Sequence, residues 1–66
     1  MIIADFTKPE LDYFRENCNF VNDEIYVFEL RSKGHTMEEI AEMLNISIDK
    51  AYKISRKVKK KILKVI

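Results

Sequence analysis

Glycine and proline each occur once, as Gly34 and Pro9, in a chain of 66 residues. An all-β domain of this size needs several tight turns, and tight turns draw on these residues. No segment sustains the apolar–polar alternation of a half-buried strand. The reading is therefore an all-α domain of four helices, at approximately 8–17, 22–33, 36–44 and 48–64.

Local signals set those boundaries. Thr7 is a good N-cap, Glu10 three residues later completes a capping box, and Pro9 is tolerated in the first turn. Asn17-Cys18-Asn19 ends that helix. Asn22 is expected to cap the second helix, with Asp23 and Glu24 complementing its dipole and Val21 and Tyr26 forming a hydrophobic staple. Gly34 closes it in a left-handed conformation. Thr36 and Glu39 form a second capping box for a short helix whose inner face is Met37, Ile40, Ala41 and Leu44. Asn45 tolerates positive φ, and Ser47 caps the last helix. There, Ala51, Ile54, Ser55, Val58, Ile62 and Val65 form one stripe. At 100° per residue the opposite face carries Asp49, Tyr52, Lys53, Arg56, Lys57, Lys60 and Lys64.

Charge divides along the chain. The formal net charge is only +1. Residues 1–49 hold four basic residues and all 11 acids, a net of −7, while residues 50–66 hold eight basic residues and no acid. Such asymmetry points to a nucleic-acid or membrane surface. A basic helix face is often merely solvated, but a solvated helix usually mixes signs.

Size sets further bounds. Sixty-six residues make one domain, read as an N-terminal helical extension (1–19) and a motif core (20–64). So short a chain buries roughly 60% of its unfolded surface. Cys18 is the only cysteine, so no internal disulfide can form, and Cys18 with the only histidine, His35, cannot make a four-ligand zinc site. No metal and no cofactor is expected. One His, one Cys and no Gly-rich loop offer no nucleophile, base and oxyanion site, so an enzyme is not expected. No apolar run approaches the ~18–20 residues that span a bilayer, and the start, MIIADFTK, lacks a signal peptide's basic region. The expected location is the cytoplasm, associated with the nucleoid, without membrane contact. Phe14, Phe20, Tyr26 and Phe28 are read as core, Cys18 as a small buried hydrophobe and His35 as a surface residue.

A short capped helix, a tight turn and a longer helix with a basic outer face describe a helix-turn-helix, here at 36–56. Its clamp needs a small residue where the helices cross, which is Ala41. It needs apolar neighbours, which are Ile40, Leu44, Ile46, Ala51 and Ile54, and a turn residue that accepts unusual φ and ψ, which is Asn45. The run from Glu39 to Ser47 (EIAEMLNIS), with Ala51 and Ile54, resembles the helix-turn-helix of bacterial transcription regulators. With 22–34 and 59–62 added, the chain is similar to the group containing sigma factor region 4 and the LuxR-type (GerE-like) DNA-binding domains. More loosely, it is similar to small standalone members from phages and mobile elements. The resemblance covers about residues 20–63. Asn45 stands where many members have Gly, and Ala51 where Val is common.

The resemblance implies sequence-specific binding of double-stranded DNA and transcription regulation, with 48–64 as recognition helix. Asp49, Tyr52, Lys53 and Arg56 would face base edges in the major groove. Thr36, Lys50, Lys57 and Lys60 would contact phosphates. About 4–6 phosphate contacts would give a steep salt dependence, with slope near −0.9 per contact. The competing reading is a protein-interaction module docking on RNA polymerase or another regulator. Ile62, Leu63 and Ile66 form an apolar end on the basic helix. It reads either as a homodimer seam, as in the LuxR-like domains, or as packing against the N-terminal helix.

Overall fold

The computed structural model describes residues 2–66. Its elements are a 3-10 turn at Ile3–Asp5 and four helices: α1 (Lys8–Asn17), α2 (Asp23–Ser32), α3 (Met37–Leu44) and α4 (Ile48–Val65). There is no strand among the described residues, and the fold is all-α as the sequence predicts.

Three of the four helix starts are built by the side chains the sequence offers. The Glu10 N–H donates to Thr7 Oγ1, and the Thr7 N–H donates to Glu10 Oε1 at 2.8 Å. Thr36 and Glu39 repeat the arrangement at 3.2 and 2.9 Å. Ser47 Oγ accepts the Lys50 N–H at 3.1 Å. Each device satisfies N–H groups that a helix start leaves without partners.

The start of α2 differs from expectation. Asn22 takes φ 52° and ψ −128°, and its side chain makes no capping bond. Among the described residues no other side chain caps its first-turn N–H groups; Glu24 instead reaches back and accepts the N–H of Val21, ahead of the helix, at 3.1 Å. The expected Val21–Tyr26 staple is absent as a buried contact, since both side chains are exposed. Tyr26 is therefore not core. It stands about 200° around the helix from the fully buried Phe28.

Helix ends follow the predicted chemistry. Gly34 has φ 91°, and the His35 N–H reaches back to the Leu30 carbonyl at 3.1 Å. Asn45 is left-handed at φ 56° and ψ 47°, and the Ile46 N–H reaches the Ala41 carbonyl at 3.0 Å. Both are the six-to-one closure that returns donors to a helix's last carbonyls.

Two apolar clusters share α2 and α4. One gathers Ile3, Phe14, Cys18, Phe28, Val58 and Ile62. The other gathers Val27, Met37, Ile40, Ala41 and Ala51, and Ile54 packs against both. The α4 stripe thus faces inward along its whole length. Ile62 is fully buried, so it takes no part in an exposed C-terminal seam, whereas Leu63 and Ile66 do stand in solvent. Ile3 is only 1% exposed. The segment before α1 therefore supplies core.

Candidate nucleic-acid interface

The side chains of interest stand on α4, an 18-residue helix roughly 27 Å long. Its inner stripe fixes its roll. Ala51, Val58 and Ile62 are fully buried, and Ser55 nearly so. Ala41 of α3 and Ala51 of α4 lie in one cluster, where the absence of longer side chains permits close helix approach. The three-residue turn at 45–47, closed by Asn45 and opened by the Ser47 cap, locks α4 against α3.

With the roll fixed, the outward face follows. Asp49, Lys50, Tyr52, Lys53, Arg56, Lys57, Lys60 and Lys64 are all exposed. Lys53, Arg56, Lys57 and Lys60 ring a shallow hollow of about 280 Å³. Lys50 and Lys57 also border the start of α2, in a cleft with Val21, Asn22, Asp23, Glu24 and Ile54. No carboxylate pairs with these cations among the described residues. The four ion pairs present involve Arg15 twice, His35 and Lys61.

Lys61 departs from its neighbours. Its ammonium turns inward and donates to Glu24 Oε1 and to the Asn19 carbonyl. Burial pushes the Glu24 carboxyl up. The Lys61 bond, the Val21 N–H and the fields of Lys61 and Lys57 outweigh this and hold it below its ordinary value. One of the eight basic residues of 50–66 is thus structural. Its position on the wheel, on the flank of the stripe beside Ile54 and Val65, is the sequence signal for this.

Thr36 is exposed, but its groups are partly engaged. Its hydroxyl oxygen accepts the Glu39 N–H, and its own N–H is taken by the Glu39 carboxylate. Those bonds also hold the Glu39 carboxyl below its ordinary value. The Thr36 hydroxyl also faces the Glu39 carboxylate, which competes with any outside acceptor for its hydrogen.

Two polar features lie away from this face. Arg15 forms a forked contact with Glu29, with Nε 2.9 Å from both carboxylate oxygens, and also meets Asp12. Its guanidinium lies 5.5 Å from the Phe28 ring centre, so it is tied to the core and not to a ligand. Cys18 is buried, which pushes its thiol pKa up and leaves it unreactive. Among the described residues no three of His, Cys, Asp and Glu converge as a metal site, and no helix is long and apolar enough to cross a membrane. No family model, curated protein or solved structure matches the chain.

Proposed function

We propose that this domain binds double-stranded DNA through the outer face of α4 and regulates transcription. One observation carries the reading: an exposed array of Lys53, Arg56, Lys57 and Lys60, none of them in an ion pair among the described residues, on a helix whose roll the buried stripe has fixed. An α-helix fits the roughly 12 Å wide major groove, and a fixed helix presents the same side chains to every site. Tyr52, Lys53 and Arg56, with Asp49 at the helix start, face the base edges. Arg56 suits a bidentate contact with guanine, and Asp49 can accept from cytosine N4. Lys50, Lys57 and Lys60 flank this line and neutralise phosphates. The Thr36 hydroxyl is a weaker phosphate donor, because Glu39 stands beside it. The net negative charge of residues 1–49 is repelled by the duplex and orients the molecule with its basic helix toward it.

The test is a titration of labelled mixed-sequence duplex by fluorescence anisotropy at several salt concentrations. A linear fall of log affinity with log salt is expected, with a slope corresponding to about 4–6 released counterions. The double variant Lys53→Ala, Arg56→Ala should lose binding while keeping its helicity. Absence of affinity at low salt would sink the reading and leave the protein-docking alternative. Selection from random duplexes then reads out the preferred sequence.

A further inference from the structure

Around its axis, the outward side of α4 carries two different surfaces. Lys50, Lys53, Lys57, Lys60 and Lys64 recur at spacings of three and four and occupy an arc of about 80°. All five are exposed, and none is in an ion pair among the described residues. Ile48, Asp49, Tyr52 and Arg56 occupy the adjoining arc of about 100°. These four are exposed as well, Ile48 by 38% and Tyr52 by 46%. Asp49 and Arg56 also make no ion pair among the described residues.

The two arcs differ in what they can touch. A phosphate strand presents anionic oxygens, which a line of ammonium groups matches. It repels a carboxylate and gives aliphatic or aromatic carbon nothing to meet. Base edges in the major groove offer what the second arc requires. Cytosine N4 donates to a carboxylate, the thymine C5 methyl suits Ile48 and Tyr52, and guanine O6 with N7 suits the fork of Arg56. The lengths agree. From Ile48 to Arg56 the helix rises about 12 Å, which is about three to four base-pair steps. The lysine line runs about 21 Å, longer than the groove is wide, so its far end crosses the groove wall.

We infer that α4 is divided lengthwise: the lysine line follows one phosphate strand, while Ile48, Asp49, Tyr52 and Arg56 read cytosine, thymine and guanine within about four base pairs. This rests on the DNA reading and adds Ile48 to the side chains that set sequence preference. Lys53, on the border of the arcs, reaches both. Lys50 and Lys57 share the cleft at the start of α2 with Asp23 and Glu24, and Glu24 is already paired with Lys61. Lys57 also borders the open hollow with Lys53 and Lys60, which makes it the lysine to test.

Selection by the native chain from duplexes with a randomised centre should return the three bases within about four base pairs. Asp49→Asn should move the preference at the cytosine position to adenine by about tenfold, because an Asn amide matches adenine N6 and N7. Replacing thymine by uracil in the selected duplex removes only the C5 methyl. That change should weaken the native chain about fourfold and leave the double variant Ile48→Ala, Tyr52→Ala indifferent. Lys57→Ala should weaken selected and mixed-sequence duplexes by the same factor, reduce the salt slope by about one contact and leave the selected sequence unchanged. All these side chains are exposed, so circular dichroism should show unchanged helicity. Binding of mixed duplex at low salt without any preferred sequence overturns the inference and leaves the DNA reading standing. So does an unaltered preference in Asp49→Asn, equal affinity of the native chain for thymine and uracil duplexes, or a changed preference in Lys57→Ala. No affinity for any duplex at low salt overturns the DNA reading itself, and the inference falls with it.

Discussion

The pair formed by Glu24 and Lys61 joins the start of α2 to the end of α4 through a buried carboxylate. Glu24 is 8% exposed, and Lys61 holds its charge. Removing the cation by Lys61→Met leaves a buried carboxylate without its partner, which costs about 1–3 kcal/mol. The pH dependence gives this prediction its sign. In the native protein the Glu24 carboxyl sits below its ordinary value near 4.5. Its contribution to stability is complete above that value and is lost as pH falls through the depressed one. In Lys61→Met burial acts unopposed by the ammonium and the carboxyl rises, so acidification then relieves the folded state. Thermal melts between pH 3 and 7, compared for the two proteins, read this difference directly. The salt slope for DNA should be nearly unchanged in Lys61→Met, because that lysine does not face outward. Gly34 is a second residue-scale case. A Cβ at this position meets nothing within 4 Å, so Gly34→Ala carries only the strain of φ 91°. A loss of about 1–2 kcal/mol in denaturant unfolding is expected.

At the scale of helices, legibility depended on whether the deciding forces were local. Thr7 with Glu10, Thr36 with Glu39, and Ser47 act within one turn of chain, and the helices begin where those residues stand. The α4 stripe was legible for a similar reason, because one helix face meets one core. Asn22 could not be read this way. Its identity suits a side-chain cap, yet the backbone there takes positive φ, and Glu24, held by Lys61 from far along the chain, ties the N–H of Val21 ahead of the helix instead. The helical spacing of Tyr26 was equally misleading, since α2 buries Glu24, Val27 and Phe28 and leaves Tyr26 out. The exposed residues of α4 were legible as a face that leaves Lys61 on the flank of the stripe, but the carboxylate it meets, 37 positions away, was not. The approach of α3 to α4 yields its own prediction. Ala41 is 6% exposed and shares a cluster with the fully buried Ala51. Ala41→Glu forces both volume and an unpaired charge into that crossing, at a cost exceeding about 3 kcal/mol. The variant should lose its cooperative melt by circular dichroism. Retained helicity and an unchanged midpoint would show that the two helices do not cross at this residue.

For the molecule as a whole, the decisive fact is that its core draws on every part of so short a chain. Ile3 precedes all four helices, yet it packs in one cluster with Phe14 of α1, Phe28 of α2 and Val58 and Ile62 of α4. No periodic pattern announces it, because three residues of 3-10 turn are too few to show one. Its burial is a tertiary event, in which the 3-10 turn packs on α2 beside Phe28. A domain of this size is only marginally stable, and Ile→Ala at a buried site costs about 2–4 kcal/mol. Ile3→Ala should therefore lower the melting temperature by roughly 10 °C or more, since each kcal/mol shifts a domain of 60–100 residues by about 4–8 °C. The loss should spread to elements that Ile3 never touches. The second cluster, with Ala41 and Ala51, is joined to the first through Ile54 and the shared helices α2 and α4. Far-UV circular dichroism and tyrosine fluorescence, which reports Tyr13 on α1, Tyr26 on α2 and Tyr52 on α4, should move together in one transition. If Ile3→Ala shifted only the α1 signal and left the α3–α4 unit intact, the two clusters would be independent folding units. In that case the segment before α2 would be dispensable for presenting the basic face. Coincident transitions would instead make the orientation of Lys53 and Arg56 depend on a side chain near the opposite end of the sequence.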